Sequence, residues 1–300
     1  MALALAIVCS FDCGAPPDVE RTDVDVDAER GGFGAERQDP DSARPYTIVA
    51  LPDTQYYAAK YPSIFQAQAS WIVEQQRALN IAFVVREGDL VDADDPAQWN
   101  VASESMDILA DGHVPYVVSM GNHDYAVGPS GWPTARSTLI DQYFPVARFS
   151  GHSWFRGTFD PAHIENNYAV LRVPHTRTRW LVVSLEFGPR DDVLAWADAV
   201  LKAHAHLSAI IVTHAYLYDV KLVLCGHVLG SGTGRLTSTR PDGTTVHQIL
   251  ANYQMLAQGG GGYLRVLTFF PEARVIHVST YSPYSGLSKL DPENDFDLAY

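Results

Sequence analysis

Short apolar runs alternate with amphipathic stretches along the first half of the chain, from residue 46 onward. Such apolar runs are typical of buried strands, and the stretches between them have the spacing of helices. The predicted strands are 47–51, 81–85 and 115–120, and the predicted helices are 64–79 and 96–110. Because this alternation builds a parallel or mixed sheet covered by helices, the chain is predicted to have an α/β fold.

The second half of the chain is richer in strands. Its predicted strands are 168–173, 180–187, 209–214, 222–227, 245–250, 263–270 and 274–281, and one predicted helix, 191–204, interrupts the series. We therefore expect one domain over residues 46–285 and a C-terminal tail over residues 286–300.

The residues before Tyr46 differ in composition. Residues 15–45 carry nine acidic side chains and four arginines, with almost no large apolar residue. Such a segment cannot bury enough surface to offset its ordering entropy, so it is predicted to be a disordered acidic linker.

Residues 1–14 are apolar and small, like the centre of a secretory signal, but lack its basic start. They predict a signal or anchor segment on a secreted, periplasmic or surface-anchored protein. The alternative is a buried or frayed terminus of a cytoplasmic protein.

The net charge of −14 argues against a nucleic-acid groove, which needs clustered Lys and Arg. A phosphate substrate is still compatible with an acidic chain, because bound divalent cations reverse the local field. The three cysteines form neither a disulfide framework nor a CxxC zinc site. No apolar run is long enough to predict a transmembrane span.

Polar residues that can bind metals follow five of the predicted strands. They are Asp53 and Gln55, Asp89 and Asp92, Asn122 with His123 and Asp124, His214, and His227. Ligand sites of α/β sheets form at the carboxyl ends of strands, where successive loops converge. Asp53 and Asp89 are 36 residues apart and Asp89 and Asn122 are 33 apart, each spacing suiting one βαβ unit. The donors suit Mn, Fe, Zn or Ni, and a carboxylate can bridge two such ions.

A single polar residue at a strand end is weak evidence for a metal site. The ordered series D-x-Q, GDLVD, GNHD, TH and GH, however, resembles the motifs of calcineurin-like metallophosphoesterases over residues 46–230. The surrounding LPDTQYY and LEFGPRD resemble the family's secreted bacterial branch, whose first motif carries Gln. The resemblance implies a four-layer αββα sandwich with mixed sheets. It also implies two divalent metal ions at the sandwich edge and hydrolysis of phosphate mono- or diesters by a metal-activated hydroxide.

The resemblance further implies a role for each residue. The implied metal ligands are Asp53 and Gln55 for the first ion, Asn122, His214 and His227 for the second, and Asp89 as the bridge. His123 would contact the phosphoryl group and protonate the leaving oxygen, with Asp124 orienting its ring.

Two features depart from the family pattern. The last motif is normally GHxH, but Leu229 stands where the second His would hold the first metal. With Gln55 a weaker donor than imidazole, the first metal position is predicted to be weakened. In addition, the strand ending at His214 and the strand ending at His227 are separated by a short connection, whereas parallel neighbours need a long crossover. Either these strands form a hairpin, in which case His227 does not reach the metal, or one of them is shortened.

The expected partner is a small phosphate ester or a phosphorylated substrate. Specificity is expected to lie in residues 127–167, where Arg136, Arg148 and Arg156 are each either phosphate ligands or solvated. The alternative hypothesis is a degenerate family member that binds a ligand or metal without turnover, which Leu229 and the short connection favour.

Overall fold

The structure is a computed structural model that describes residues 44–126, 136–214, 222–227, 233–239 and 245–299. The predicted signal segment and nearly all of the predicted acidic linker lie outside the described residues. The same is true of Leu229 and of residues 215–221, which connect the strands preceding His214 and His227.

The secondary structure follows the apolar pattern closely. The helices of the described residues are α1 (Gln55–Lys60), α2 (Pro62–Gln75), α3 (Pro96–Asp111), α4 (Ile140–Tyr143), α5 (Val146–Ser150), α6 (Asp191–Ala203) and α7 (Ala257–Gly260). The first strands are β1 (Tyr46–Leu51), β2 (Ile81–Arg86), β3 (Tyr116–Val117), β4 (Phe155–Thr158), β5 (Asn167–Arg172), β6 (Arg179–Ser184) and β7 (Ser208–Val212). The others are β8 (Leu222–Cys225), β9 (Thr233–Thr239), β10 (Thr245–Ala251), β11 (Leu264–Phe270), β12 (Val275–Ser282), β13 (Leu287–Lys289) and β14 (Phe296–Ala299).

Among the described residues, the first sheet has the strand order β13-β12-β11-β1-β2-β3, and β14 also pairs with β12. β1, β2 and β3 run parallel, whereas β1 and β11 are antiparallel. The sheet is therefore mixed. Because β1, β2 and β3 share a direction, the residues that follow them emerge at one edge.

The second sheet of the described residues has the order β4-β5-β6-β7-β8-β10-β9. β6, β7, β8 and β10 run parallel, and the other three pairs, β4–β5, β5–β6 and β9–β10, are antiparallel. The hairpin alternative for β7 and β8 is wrong, because Ile210 pairs in parallel with Leu222. β8 is only four residues long. His214 and His227 thus follow neighbouring strands at the same sheet edge.

The two sheets pack face to face between two helical layers. Alternate residues of β1 show this arrangement, since Ile48 faces the other sheet and Val49 faces the core beneath α2 and α3. On the outer face of the second sheet, Val183 packs against Val193 of α6. The prediction of an αββα sandwich with mixed sheets is confirmed.

Residues 286–299 do not form the predicted tail. They contribute β13 and β14, which pair with β12, and Phe296 and Leu298 enter the core between the sheets. The sequence prediction overlooked them because each strand has only three or four residues, fewer than a clear alternating pattern needs.

The helices of the described residues do not include one with the length and apolar character that a membrane span needs.

Candidate metal centre

Five predicted ligand residues lie buried or half-buried where the parallel strands end. Asp53 follows β1, Asp89 follows β2 and Asn122 follows β3, while His214 and His227 follow β7 and β8. Side chains from both sheets therefore converge on one edge of the sandwich.

His214 lies at the middle of this cluster and is fully buried. Its Nδ1 lies 2.8 Å from the Glu87 carbonyl oxygen, so Nδ1 is the nitrogen that carries the proton. Nε2 is then available as a ligand. Nε2 lies 3.2 Å from Asp89 Oδ2 and 3.2 Å from His227 Nδ1, and ligand atoms of the three residues all lie within 4.8 Å of one another. Asp89, His214 and His227 can thus share one metal ion.

Two of these three residues adopt left-handed backbone conformations. The φ angle is 45° at Asp89 and 67° at His227, a region that residues other than glycine seldom occupy. Such conformations persist where the surrounding structure enforces them, often at functional sites. Here the backbone of Gly121 leaves no room beside the Asp89 carboxylate, since a Cβ at Gly121 would lie 2.0 Å from Asp89 Oδ1.

Asp53 connects the two sheets at this edge. Its Oδ2 accepts a hydrogen bond from the backbone N–H of His227 at 3.3 Å, and a Cβ at Gly226 would lie 2.7 Å from Oδ1. Asp53 Oδ1 also lies 3.3 Å from His214 Nδ1, but the proton of that nitrogen is directed to the Glu87 carbonyl. Because Gly226 has no side chain, the Asp53 carboxylate can approach the backbone of the second sheet this closely.

Three buried side-chain oxygens at this edge accept no hydrogen bond from any described residue. They are Asp53 Oδ1, Gln55 Oε1 and Asn122 Oδ1. A buried oxygen without a partner costs about 1–3 kcal/mol, so three among the predicted ligands require a compensating group. Gln55 Nε2 donates to Asp92 Oδ1 at 3.4 Å, which leaves its Oε1 as the amide atom to contact a cation. Carboxylate, amide and imidazole donors together fit a divalent metal.

Charge accumulates at this buried edge. Burial raises the pKa of Asp53 to about 7, an effect that the nearby Asp89 reinforces. Burial lowers the pKa of His214, but Asp89 and then Asp53 outweigh burial and raise it to about 10. These raised pKa values favour protonation of the metal-free site, so a divalent cation would bind there by displacing protons.

His123 and Asp124 are placed differently from each other. His123 is partly exposed, its backbone N–H donates to Asp89 Oδ1 at 3.0 Å, and its Nδ1 lies 2.9 Å from the Asp92 carbonyl oxygen.

Asp124 is fully buried and accepts from the backbone N–H groups of Val91 at 3.1 Å and Gly121 at 2.8 Å. The predicted role of Asp124 in orienting the His123 ring is not what the structure shows, because Asp92 contacts the ring Nδ1 and backbone amides donate to both Asp124 oxygens. Asp124 instead ties together the loops after β2 and β3.

Arg86 is a site residue that the sequence analysis missed. Its guanidinium is fully buried behind the loops and donates to the carbonyls of Leu51 at 3.2 Å and Pro52 at 3.0 Å, and to Thr54 Oγ1 at 2.8 Å. It also approaches the Gly88 carbonyl at 3.4 Å. Burial lowers the pKa of Arg86 to about 10, so it stays charged at neutral pH. The sequence does contain a sign of this role, because an arginine ends an otherwise apolar strand.

An αββα sandwich with carboxylate, amide and imidazole donors gathered at its strand ends defines a metal-binding α/β scaffold. The family model of calcineurin-like phosphoesterases matches residues 46–231, more than half of the chain. The chain belongs to the calcineurin-like phosphoesterase family.

One curated relative is an uncharacterized protein, YvnB, of Bacillus subtilis (strain 168). It is 34% identical over 266 residues, a match that covers 80% of this chain and 20% of the relative. The chain thus spans about a fifth of that protein's length. Among solved structures, GAP50, the anchor in the inner membrane complex of Plasmodium, is similar at 12% identity with a TM-score of 0.45, covering 85% of this chain and 90% of that one. The sulfate thiohydrolase SoxB of Thermus thermophilus, in complex with glycerol, is similar at 13% identity with a TM-score of 0.38, covering 78% and 42%. Both scores are too low to say more about this chain.

Proposed function

We propose that the chain hydrolyses phosphate mono- or diesters with two divalent metal ions, and that its partner is a small phosphate ester or a phosphorylated molecule. The observation that supports this most is the set of buried oxygens without hydrogen-bond partners beside the cluster of Asp89, His214 and His227. All three oxygens belong to predicted ligand residues at one edge, so a single cation pair there could satisfy them together. The cluster lies at the strand ends, where a substrate can approach.

Asp89 would bridge the two metal positions, with Asn122, His214 and His227 on one side. Asp53 and Gln55 would hold the other position, which is weaker because Leu229 supplies no ligand. Bound divalent cations would supply Lewis acidity toward the phosphate oxygens and make water a nucleophile near neutral pH.

His123 is the residue placed to move a proton. Its Nδ1 donates to the Asp92 carbonyl, so Nε2 is the ring nitrogen that would carry the second proton of the imidazolium form and give it to a leaving oxygen. Its side chain is 31% exposed, whereas the metal-ligand side chains of Asp53, Asp89 and His214 are at most 2% exposed. It can therefore reach a substrate without leaving the site.

The test combines metal analysis with an activity screen. Purified protein should carry Mn, Fe, Zn or Ni and cleave p-nitrophenyl phosphate or the bis ester. Asp89→Ala and Asn122→Ala should each lower kcat/KM at least a hundredfold, whereas Asp198→Ala, which removes an exposed carboxylate on α6, should not. Full activity in Asp89→Ala would overturn the proposal.

A second candidate is a member that binds a metal or ligand without turnover, which the Gln55 and Leu229 substitutions favour. In that case the unmodified protein binds about one metal per chain, and Leu229→His raises the stoichiometry without producing hydrolysis. Two metals bound per unmodified chain, together with turnover, would exclude this candidate.

A further inference from the structure

An open cavity of about 190 Å³ lies next to the candidate metal centre. Phe187 separates the two, because its ring centroid lies 6.0 Å from that of His214 and 5.4 Å from that of His227. The carbonyl of the same Phe187 accepts from Arg136 Nη1, at the wall of the cavity, at 3.2 Å. Phe187 thus connects one wall residue of the cavity with two of the proposed metal ligands.

The cavity wall is built on a buried carboxylate. The Glu186 side chain is fully buried, accepts hydrogen bonds from Arg190 Nε and Asn166 Nδ2, each at 3.0 Å, and forms an ion pair with Arg136 Nη1 at 3.1 Å. Both guanidinium groups are thereby fixed in position while their side chains stay 38% and 47% exposed. Donors held in this way lose little entropy when a ligand binds.

The charges around the cavity nearly cancel. Arg136 and Arg190 stand against the carboxylates of Glu186, Asp160 and Glu165, and burial raises the pKa of Glu165. His163 is paired with Asp141 at 2.6 Å. The carboxyl groups of Asp160 and Glu165 would repel a bound anion, and the two guanidinium groups would repel a bound cation. The local electrostatic field therefore favours neither charge.

A neutral group that both donates and accepts hydrogen bonds matches this wall. Hydroxyl groups can accept from the guanidinium N–H groups and donate to the carboxylates of Asp160 and Glu165. Phe159 adds an apolar surface at the cavity wall. The cavity has space for several water molecules, which the hydroxyl groups of one bound ligand could replace.

We propose that this cavity binds an uncharged, hydroxyl-rich group, a sugar or a polyol, which belongs to the phosphate ester cleaved at the neighbouring metal centre. The substrate class is thus a sugar or polyol phosphate. The assignment of the substrate class rests on the proposed hydrolysis. The binding of a hydroxyl-rich group to the cavity does not depend on it.

The turnover test compares glucose 6-phosphate with cyclohexylmethyl phosphate, which has a ring of similar size without hydroxyl groups; their methyl diesters serve if the enzyme cleaves diesters. The unmodified enzyme should prefer the sugar at least tenfold in kcat/KM. Asp160→Asn and Arg190→Gln should each remove most of that preference by raising KM for the sugar phosphate. Arg156→Gln, on an exposed arginine of β4, is the matched control and should keep the preference.

A binding test separates this inference from the proposed hydrolysis. Methyl glucoside should bind in the millimolar range, measured by ligand-observed NMR, to metal-free wild-type protein and to Asp89→Asn. Arg190→Gln should weaken it at least fivefold, and Asp160→Asn carries the same test if Arg190→Gln does not fold. Sugar binding without any ester turnover would refute the hydrolysis and support the cavity. Turnover without a sugar preference, or a tenfold preference for glucose 1,6-bisphosphate over glucose 6-phosphate, would overturn the cavity assignment.

Discussion

Arg86→Met should destabilise the protein and loosen the candidate metal centre. Methionine fills much of the same buried space but donates no hydrogen bond. The substitution leaves the Leu51 and Pro52 carbonyls and the Thr54 hydroxyl without their guanidinium donor in the interior. At about 1 kcal/mol each, the low end for a buried group left unsatisfied, the loss is about 3 kcal/mol. Since domains of this kind are stable by about 5–15 kcal/mol, the variant should still fold.

The stability assay is urea unfolding of the metal-free protein, followed by circular dichroism. Arg86→Met should lower the free energy of unfolding by about 3 kcal/mol, and Arg156→Met, on an exposed arginine, by less than about 0.5 kcal/mol. A loss below about 1 kcal/mol in Arg86→Met would show that the guanidinium does not hold the loops.

Metal affinity distinguishes two roles of Arg86. If its hydrogen bonds fix the spacing of Asp53 and Asp89, Mn²⁺ affinity measured by calorimetry falls at least tenfold in both Arg86→Met and Arg86→Lys. If its charge merely offsets the carboxylates, affinity rises in Arg86→Met and is unchanged in Arg86→Lys. We expect the first result, because the guanidinium reaches both loops and an ammonium group cannot reach all of its acceptors at once.

Two further predictions concern the cluster itself. Gly121→Ala should abolish binding of metal to the Asp89 site, measured by metal analysis of the purified variant, because a Cβ there would overlap Asp89 Oδ1. Gly151→Ala, whose added Cβ would meet no atom within 4 Å, is the control, and equal metal content in both variants would contradict the geometry. Metal affinity should rise from pH 6 to pH 8, because the raised pKa values of Asp53 and His214 mean that the metal-free site holds protons that the cation must displace. Calorimetry in two buffers of different ionisation enthalpy should detect proton release on binding, and affinity independent of pH would refute this.

Much of the fold could be predicted from the sequence, because its strands are long apolar runs. β1 and β2 are buried on both faces, so nearly all their residues are apolar. Such runs can be recognised in the sequence without knowing which strands pair. α1 was not predicted, since its six residues directly follow the Asp53 loop and carry no helical repeat. β3 contains only two residues of the predicted run 115–120, because the rest of the run already turns toward Asn122.

In the candidate site, the ligand residues could be predicted from the sequence, but the contacts between them could not. The donor residue types and their strand-end positions were visible in the sequence, and the structure brings them to one edge. Whether His227 reaches that edge depended on the direction of β8, which strand pairing decides and local sequence does not. Asp124 shows the same difficulty, because a carboxylate beside a histidine reads as its partner until the backbone amides around it are known.

The position of β1 in the first sheet has a consequence for how the protein is made. Tyr46 pairs with Phe269, 223 residues later, so one edge of the strand that carries Asp53 has no partner until β11 has been synthesised. At a translation rate of ~5–20 residues per second, that interval is roughly eleven to forty-five seconds. All the proposed ligands, from Asp53 to His227, are synthesised within it, before β11 can pair with β1. A chain interrupted after the family-matched segment would thus contain every proposed ligand but lack the strand that completes the sheet beside Asp53.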